Sequence, residues 1–180
     1  MMAKVRSRGR ELAFQILFQC DQTGDKVNAV VARFQELKHA NADAAAFAEA
    51  LAVGAYGQQG AIDDLIRKFA KNWKLERLLS VDRAVLRLAA YELVSTPETP
   101  LEVVLDEAIE TAKHFGSDES AAFVNGVLDQ IASEARSRPK EAPKPKPKAP
   151  APPKKLIIPK PRPVAPKPQS TPVPRRKKAA

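Results

Sequence analysis

Three arginines stand at every second position near the amino terminus: Arg6, Arg8 and Arg10. Helical spacing of the apolar residues predicts a helix over about residues 4–21, so these cations lie at its amino-terminal end and oppose the helix dipole. A phosphate partner would offset this unfavourable placement, and we therefore predict that all three arginines contact RNA. The alternative is a frayed, solvated basic terminus without a partner.

Two aromatic residues, Phe14 and Phe18, continue the stripe of Arg10 along the same predicted helix at i, i+4 spacing. On a helical wheel they lie outside the arc of core positions. Exposed aromatic rings beside arginines either stack on unpaired bases or anchor a protein partner, so Phe14 and Phe18 are candidates for a protein-partner surface or for a base-stacking one. The alternative is that they pack against another helix of the same chain.

A second candidate RNA-binding surface lies at the corner between the last two predicted helices and consists of Lys113, Phe115, Asp118, Glu119 and Phe123. The amino terminus of a helix can receive a phosphate through its free N–H groups, and the phenylalanines offer flat surfaces for bases. The two acids have a simpler interpretation, since negative charge in the first turn of a helix satisfies its dipole.

Catalytic and metal-binding patterns are missing from the sequence. It contains no glycine-rich phosphate loop, nucleophile elbow, Ser/His/Asp set or cluster of metal ligands, so we expect no enzyme, no cofactor and no metal. A single cysteine, Cys20, excludes an internal disulfide. No apolar run is long enough to cross a membrane, and the start lacks the apolar region of a signal peptide, which favours a cytoplasmic protein without a membrane partner.

Charge and proline content divide the chain near residue 137. Residues 137–180 hold 14 of the 30 Lys and Arg residues, one of the 21 acids and 14 of the 16 prolines, so their net charge is +13 and that of residues 1–136 is −4. This composition predicts a disordered basic tail. Its apolar triplet, Leu156, Ile157 and Ile158, is either a short docking segment or incidental.

Residues 1–136 are predicted to be all-α, with about seven helices. Helices are expected over about 4–21, 26–37, 81–94 and 101–115, with another from residue 42 and a last one after residue 117. Asn41, Ser80 and Ser117 are the predicted N-caps, and residues 99–102 form a predicted capping box. Whether the helix from residue 42 continues through Gly54, Gly57 and Gly60 is left open.

Five segments of the body resemble the NusB family of transcription antitermination proteins, and the resemblance extends over residues 4–136. The segments are RSRGRELAFQILFQ at 6–19, WKLERL at 73–78, VDRAVLRLAAYEL at 81–93, EAIETAKHFG at 107–116 and FVNGVLD at 123–129.

The resemblance implies a helical bundle of two subdomains, at about residues 1–74 and 75–136. It also implies a function: the protein pairs with NusE, a small ribosomal-subunit protein, and binds boxA, a single-stranded RNA element in leader transcripts of ribosomal RNA operons. The pair then joins the RNA polymerase elongation complex with other Nus factors and prevents premature termination.

The resemblance also suggests roles for individual residues. Family members use acids at the corner of Asp118 and Glu119 in RNA contact, and they place an acid at the position of Asp82 against a basic residue of the ribosomal partner. The position of Phe18, commonly Tyr in the family, lies near that partner. Tyr91 and Trp73 are interpreted as core or subdomain-junction residues.

Two alternatives remain. The first is a non-catalytic RNA-binding domain related to that of ribosomal RNA cytosine methyltransferases. The second is a nonspecific nucleic-acid-coating protein that acts through its basic tail.

Overall fold

The computed structural model describes residues 2–71 and 73–137, and the predicted tail with its apolar triplet therefore lies outside the described residues, apart from Ser137. Eight α-helices and one 3-10 turn, with no strand, make up this part of the chain. The helices are α1 (Met2–Thr23), α2 (Val27–Arg33), α3 (Gln35–His39), α4 (Ala42–Gly57), α5 (Gln59–Phe69), α6 (Ser80–Ser95), α7 (Leu101–Phe115) and α8 (Ser120–Ser137), and the 3-10 turn is Leu75–Arg77.

Helices α1 and α6 are the two central elements of the bundle. Helix α1 packs along α4 and also contacts α2, α6 and α7, whereas α6 contacts α4, α5, α7 and α8. The side chains in the core of the bundle are apolar and almost completely buried, and the largest are Leu12, Ile16, Ile62, Ile66, Leu86, Leu128 and Ile131. Burial of such side chains is the main source of stability in a helical bundle. Helix α1 contacts helices from both predicted subdomains, so the subdomain boundary at residue 74 stays a prediction.

Two glycines allow α4 to approach its neighbours closely. A Cβ atom at Gly9 of α1 would lie 2.7 Å from Cδ1 of Phe47, and one at Gly54 of α4 would lie 2.1 Å from the hydroxyl oxygen of Tyr91 on α6. Neither distance is compatible with a side chain unless the helices move apart. Helix α4 therefore continues through Gly54, where a glycine is required by packing, and ends at Gly57.

The predicted helix over 26–37 is divided in two. Phe34 adopts an extended conformation (φ −73°, ψ 103°) between α2 and α3, and its side chain is buried in the core. The prediction of one helix was wrong because the local apolar pattern does not reveal that the ring of Phe34 leaves the helical path to reach the interior.

Of the predicted helix caps, only Asn41 is confirmed: its Oδ1 accepts the backbone N–H of Asp43 at 2.9 Å. Helix α6 begins at Ser80 itself, with Leu79 at the N-cap, and α7 begins after Pro100, so the capping box is displaced. At the last corner the predicted cap, Ser117, is the donor: its backbone N–H donates to Oγ of Ser120 at 2.9 Å.

Candidate nucleic-acid interface

The amino-terminal end of α1 presents two of its three predicted arginines to solvent. Arg6 is exposed, and its guanidinium carbon lies 4.9 Å from the ring centroid of Phe47 on α4, a cation–π contact. Arg8 is also exposed and pairs with Glu11 one turn along α1, with 2.6 Å between Nη1 and Oε1. A surface pair of this kind is weak, so both guanidinium groups remain available to a phosphate.

Arg10, which the sequence predicts as an RNA contact, instead lies in the interior. It is 5% exposed, and Glu92 of α6, 1% exposed, binds its guanidinium. Nε donates to both carboxylate oxygens, at 3.1 and 2.9 Å, and Nη2 donates to Oε1 at 2.5 Å. The expectation is corrected for a physical reason: α6 covers α1 at this level, so the arginine neutralises a buried acid and holds two helices together.

Phe14 is likewise a core residue. It is 3% exposed, and its ring centroid lies 5.0 Å from that of Phe115 on α7 and 6.1 Å from that of Phe18. The prediction that Phe14 lies outside the core was wrong, because helices cover α1 on more than one side. Phe18 is half-buried at the edge of the core and keeps an accessible part for a partner.

Contacts between α1 and α7 show how the two predicted RNA surfaces are related. Oγ of Ser7 hydrogen-bonds to the carboxylate of Glu107, and seven residues further along α1 the ring of Phe14 meets Phe115. The two helices therefore run in the same direction at this contact. With a rise of about 1.5 Å per residue, the arginine end of α1 lies beside the middle of α7, about 12 Å before its carboxyl end.

The corner between α7 and α8 combines exposed charges with half-buried rings. Lys113, Asp118 and Glu119 are exposed, and Nζ of Lys113 lies 2.7 Å from Glu110 Oε1. Phe115 is half-buried. Asp118 and Glu119 precede α8 and are not in its first turn. They stand one and two residues before its start, where negative charge still favours the helix dipole, so the simpler interpretation from sequence stands beside RNA contact.

Phe123 of α8 is half-buried and contacts Trp73, which the sequence placed either in the core or at the subdomain junction. Trp73 is 57% exposed, and the two ring centroids are 5.7 Å apart at an angle of 64°. The core interpretation was wrong, and Trp73 lies beside the subdomain boundary predicted at residue 74. The segment between α5 and α6 holds it at the surface.

Asp82 lies in the first turn of α6, as predicted, and is 6% exposed. Its Oδ1 is buried and has no hydrogen-bond partner among residues 2–71 and 73–137. A buried carboxylate oxygen without a donor is costly, and a donor of another molecule reaches this atom only when the groups that cover it move.

Sequence analysis missed a network of ion pairs that joins α1, α5 and α6. Asp21 binds Arg83 (2.5 Å) and Arg87 (2.9 Å), and Arg87 also binds Asp63 (2.7 Å). Burial acts to raise the pKa of the Asp21 carboxyl, but the hydrogen bonds and charges of the two arginines outweigh it and hold the pKa below its ordinary value. The i, i+4 spacing of Arg83 and Arg87 was the available signal.

Within the part of the chain that the structure describes, no group of three or more His, Cys, Asp or Glu side chains is arranged to hold a metal ion. None of the helices in that part is both long and apolar enough to cross a membrane.

Comparison with known proteins yields one consistent match. The model of the NusB family matches residues 7–133. The transcription antitermination protein NusB of Sorangium cellulosum is 50% identical over 127 residues, which are 71% of this chain and 91% of the relative. The protein of the same name from Bacillus licheniformis is 44% identical over 131 residues, covering 72% of this chain and 97% of the relative.

Solved structures give the same result. A structure of T. maritima NusB matches with a TM-score of 0.66 and 39% identity, over 72% of this chain and 91% of that chain. A crystal structure of the antitermination factors NusB and NusE in complex with dsRNA matches with a TM-score of 0.67 and 29% identity, over 74% and 99% of the two chains.

Proposed function

Because this chain belongs to the NusB family of transcription antitermination proteins, we propose that it pairs with NusE and binds the boxA element of ribosomal RNA leader transcripts. The pair acts in the bacterial cytoplasm, where it joins the RNA polymerase elongation complex with other Nus factors and prevents premature termination. The protein contributes binding surfaces to this process and catalyses no reaction.

The observation that carries the proposal is the match of nearly the whole helical body to a NusB chain solved together with NusE and RNA. The RNA in that structure is described as double-stranded, whereas boxA is proposed here as a single-stranded ligand. Side chains suited to unpaired RNA support this choice: Arg6 and Arg8 are exposed cations, and Phe115 and Phe123 are partly exposed rings. Arg10 does not belong to this surface, because Glu92 binds its guanidinium.

The proposed NusE surface consists of Phe18 and Asp82. Phe18 offers an apolar edge, and Asp82 offers a carboxylate oxygen that is already shielded from water. Pairing with a lysine or arginine of the partner would satisfy that oxygen in a largely dry environment, where charged hydrogen bonds are strong. Phe14 supports this surface from within by packing against Phe18.

NusE binding can be tested by calorimetry with purified NusE. We expect Asp82→Lys to abolish binding and Phe18→Ala to weaken it at least tenfold, while Asp106→Lys, which makes the same charge change at an exposed position of α7, leaves it unchanged. Retained binding in both variants would remove these residues from the interface.

RNA binding can be tested by fluorescence anisotropy with boxA and scrambled RNA. The double variant Arg6→Ala/Arg8→Ala should weaken boxA binding by about tenfold and reduce the slope of log affinity against log salt by about 1.4. Lys26→Ala/Lys38→Ala removes the same charge from exposed positions elsewhere and is the matched control. Equal effects of the two double variants would contradict a specific arginine surface.

The basic tail is proposed to raise affinity for nucleic acid without reading sequence. Deletion of residues 137–180 should weaken RNA binding and flatten its salt dependence, but the preference for boxA over scrambled RNA should survive. If the truncated chain has no preference, specificity does not lie in the helical body. A preference of the full chain for duplex DNA over single-stranded RNA in moderate salt would favour the nucleic-acid-coating alternative.

A further inference from the structure

We propose that Trp73 stacks on an unpaired RNA base and that the segment between α5 and α6 extends the RNA-binding surface beyond the α7–α8 corner. The surface, named here the Trp73 platform, consists of Trp73, Phe123, Lys71, Lys74 and Arg77. The proposal rests on the proposed function, because it assigns a further contact to the same RNA.

The first argument is the exposure of the indole. Trp73 is the only tryptophan of the chain, and more than half of its side chain is accessible to solvent although its neighbours Leu75 and Leu78 are buried. Its ring contact in the described structure is the edge-to-face one with Phe123. One such contact fixes the orientation of the indole and leaves apolar area uncovered, which a second flat group can bury.

Three basic residues stand close to Trp73 in the sequence. Lys71, Lys74 and Arg77 are all exposed, and none of them forms an ion pair with any residue in 2–71 or 73–137. The acid of this segment, Glu76, is instead bound by Arg67 of α5, with 3.1 Å between Nη2 and Oε1. The platform therefore carries three available positive charges within four sequence positions of an exposed aromatic ring.

This combination differs from the rest of the surface. Residues 11–136 have a net charge of −8, and the basic residues just before the platform are already engaged, Arg67 by Asp64 and Glu76 and Lys68 by Glu134. Free cations next to an aromatic ring are the arrangement by which proteins hold single-stranded nucleic acid, because the ring takes a base and the cations take flanking phosphates.

The third argument is continuity with the surface already assigned to RNA. Phe123 lies in the first turn of α8, directly after the corner that contains Asp118 and Glu119, and its ring contacts Trp73. An RNA strand that reaches this corner therefore meets Phe123 and Trp73 in succession. The platform lengthens the path of the strand by at least one nucleotide.

The single tryptophan makes the test direct. Intrinsic fluorescence of the full-length chain reports Trp73 alone, and a base stacked on the indole quenches it. Titration with single-stranded boxA RNA in moderate salt should quench most of the emission, and the quenching curve should give the same affinity as an anisotropy measurement. A fluorescence change on addition of NusE but not of RNA would identify the platform as a protein surface and overturn the proposal.

Variants give a second, independent measurement. Trp73→Ala should weaken boxA binding by about 5- to 100-fold, whereas Trp73→Phe, which keeps a stacking ring, should lose less than about fivefold. Val103→Ala, at an exposed apolar position of α7, is the control and should bind like the parent chain. Circular dichroism establishes that each variant is folded.

The cations are tested by their salt dependence. Lys71→Gln/Lys74→Gln/Arg77→Gln should lower the slope of log affinity against log salt by about 2, since each phosphate contact on single-stranded nucleic acid contributes about 0.7. If the parent chain prefers boxA but shows neither quenching nor a loss of affinity in Trp73→Ala, the platform is refuted and the proposed function stands. If the parent chain shows no preference for boxA, the proposed function fails and the platform fails with it.

Discussion

Replacement of Arg10 by methionine should destabilise the bundle strongly, because it leaves the carboxylate of Glu92 buried without a partner. The structure gives this carboxylate three hydrogen bonds, all from Arg10, and no other side-chain donor within the described residues. Methionine keeps the length and apolar stem of the arginine but donates no hydrogen bond. The variant therefore isolates the charge and hydrogen bonds from the packing.

The magnitude follows from the burial of both groups. Removal of one member of a buried ion pair costs about 3–5 kcal/mol, since the remaining charge is uncompensated. A domain of this size has a free energy of unfolding of about 5–15 kcal/mol, so about a fifth or more of the stability would be lost. At about 4 °C per kcal/mol, the midpoint of thermal unfolding should fall by about 12–20 °C.

Circular dichroism during thermal and urea unfolding measures the effect. Arg8→Met, which breaks a surface pair two residues away, is the matched control and should change stability by less than about 1 kcal/mol. The double variant Arg10→Met/Glu92→Leu should recover most of the loss, because an apolar pair can replace a buried ion pair at little cost. A single Arg10→Met variant as mild as Arg8→Met would refute the reasoning, as would a double variant no more stable than the single one.

Three further outcomes are expected from the packing and ionisation of the body. Gly54→Ala should lower the free energy of unfolding by about 1–3 kcal/mol in urea, because its Cβ would clash with Tyr91, whereas Gly60→Ala, which meets no neighbour within 4 Å, should be neutral or stabilising. Since the pKa of Asp21 is lowered in the folded chain, its contribution to stability is complete above the unfolded pKa of about 3.9 and is lost as the pH falls through the folded value. Asp21→Asn should therefore be less stable at pH 7 but lose less stability in acid, and an unchanged acid dependence would contradict this sign. Burial raises the pKa of the Cys20 thiol, so iodoacetamide should modify it at pH 8 only in urea, and rapid modification of the native chain, followed by mass spectrometry, would contradict its burial.

Sequence patterns were sufficient for most of the helical elements, but not for the division of residues 26–37 into two helices. The repeat of apolar residues placed α1 and α7 within about two residues of their observed bounds, and the family resemblance agrees with the match over residues 7–133. Helix caps were less predictable, because Ser80 and Ser117 have the right side chain for a cap but the backbone starts each helix at a different residue. A cap depends on local φ and ψ values, which residue type alone does not determine.

The side chains of the candidate site were harder to place. Arg10 and Phe14 lie beside the core arc on a helical wheel, but a wheel does not show how many helices surround α1. Their burial follows from the contacts of α1 with α4, α6 and α7, which are tertiary. Trp73 shows the opposite case: the sequence left the core and the subdomain junction open, and a short segment between two helices holds the side chain at the surface.

The position of α1 has a consequence for synthesis of the chain on the ribosome. Arg10 and Glu92 are separated by 82 positions, so at about 5–20 residues per second the acid is added about 4–16 s after the arginine. During this interval the nascent α1 can be sheltered by α4 but not by α6. The first helix to be translated is thus among the last to be fully enclosed, and its unpaired guanidinium stays hydrated until its acid emerges.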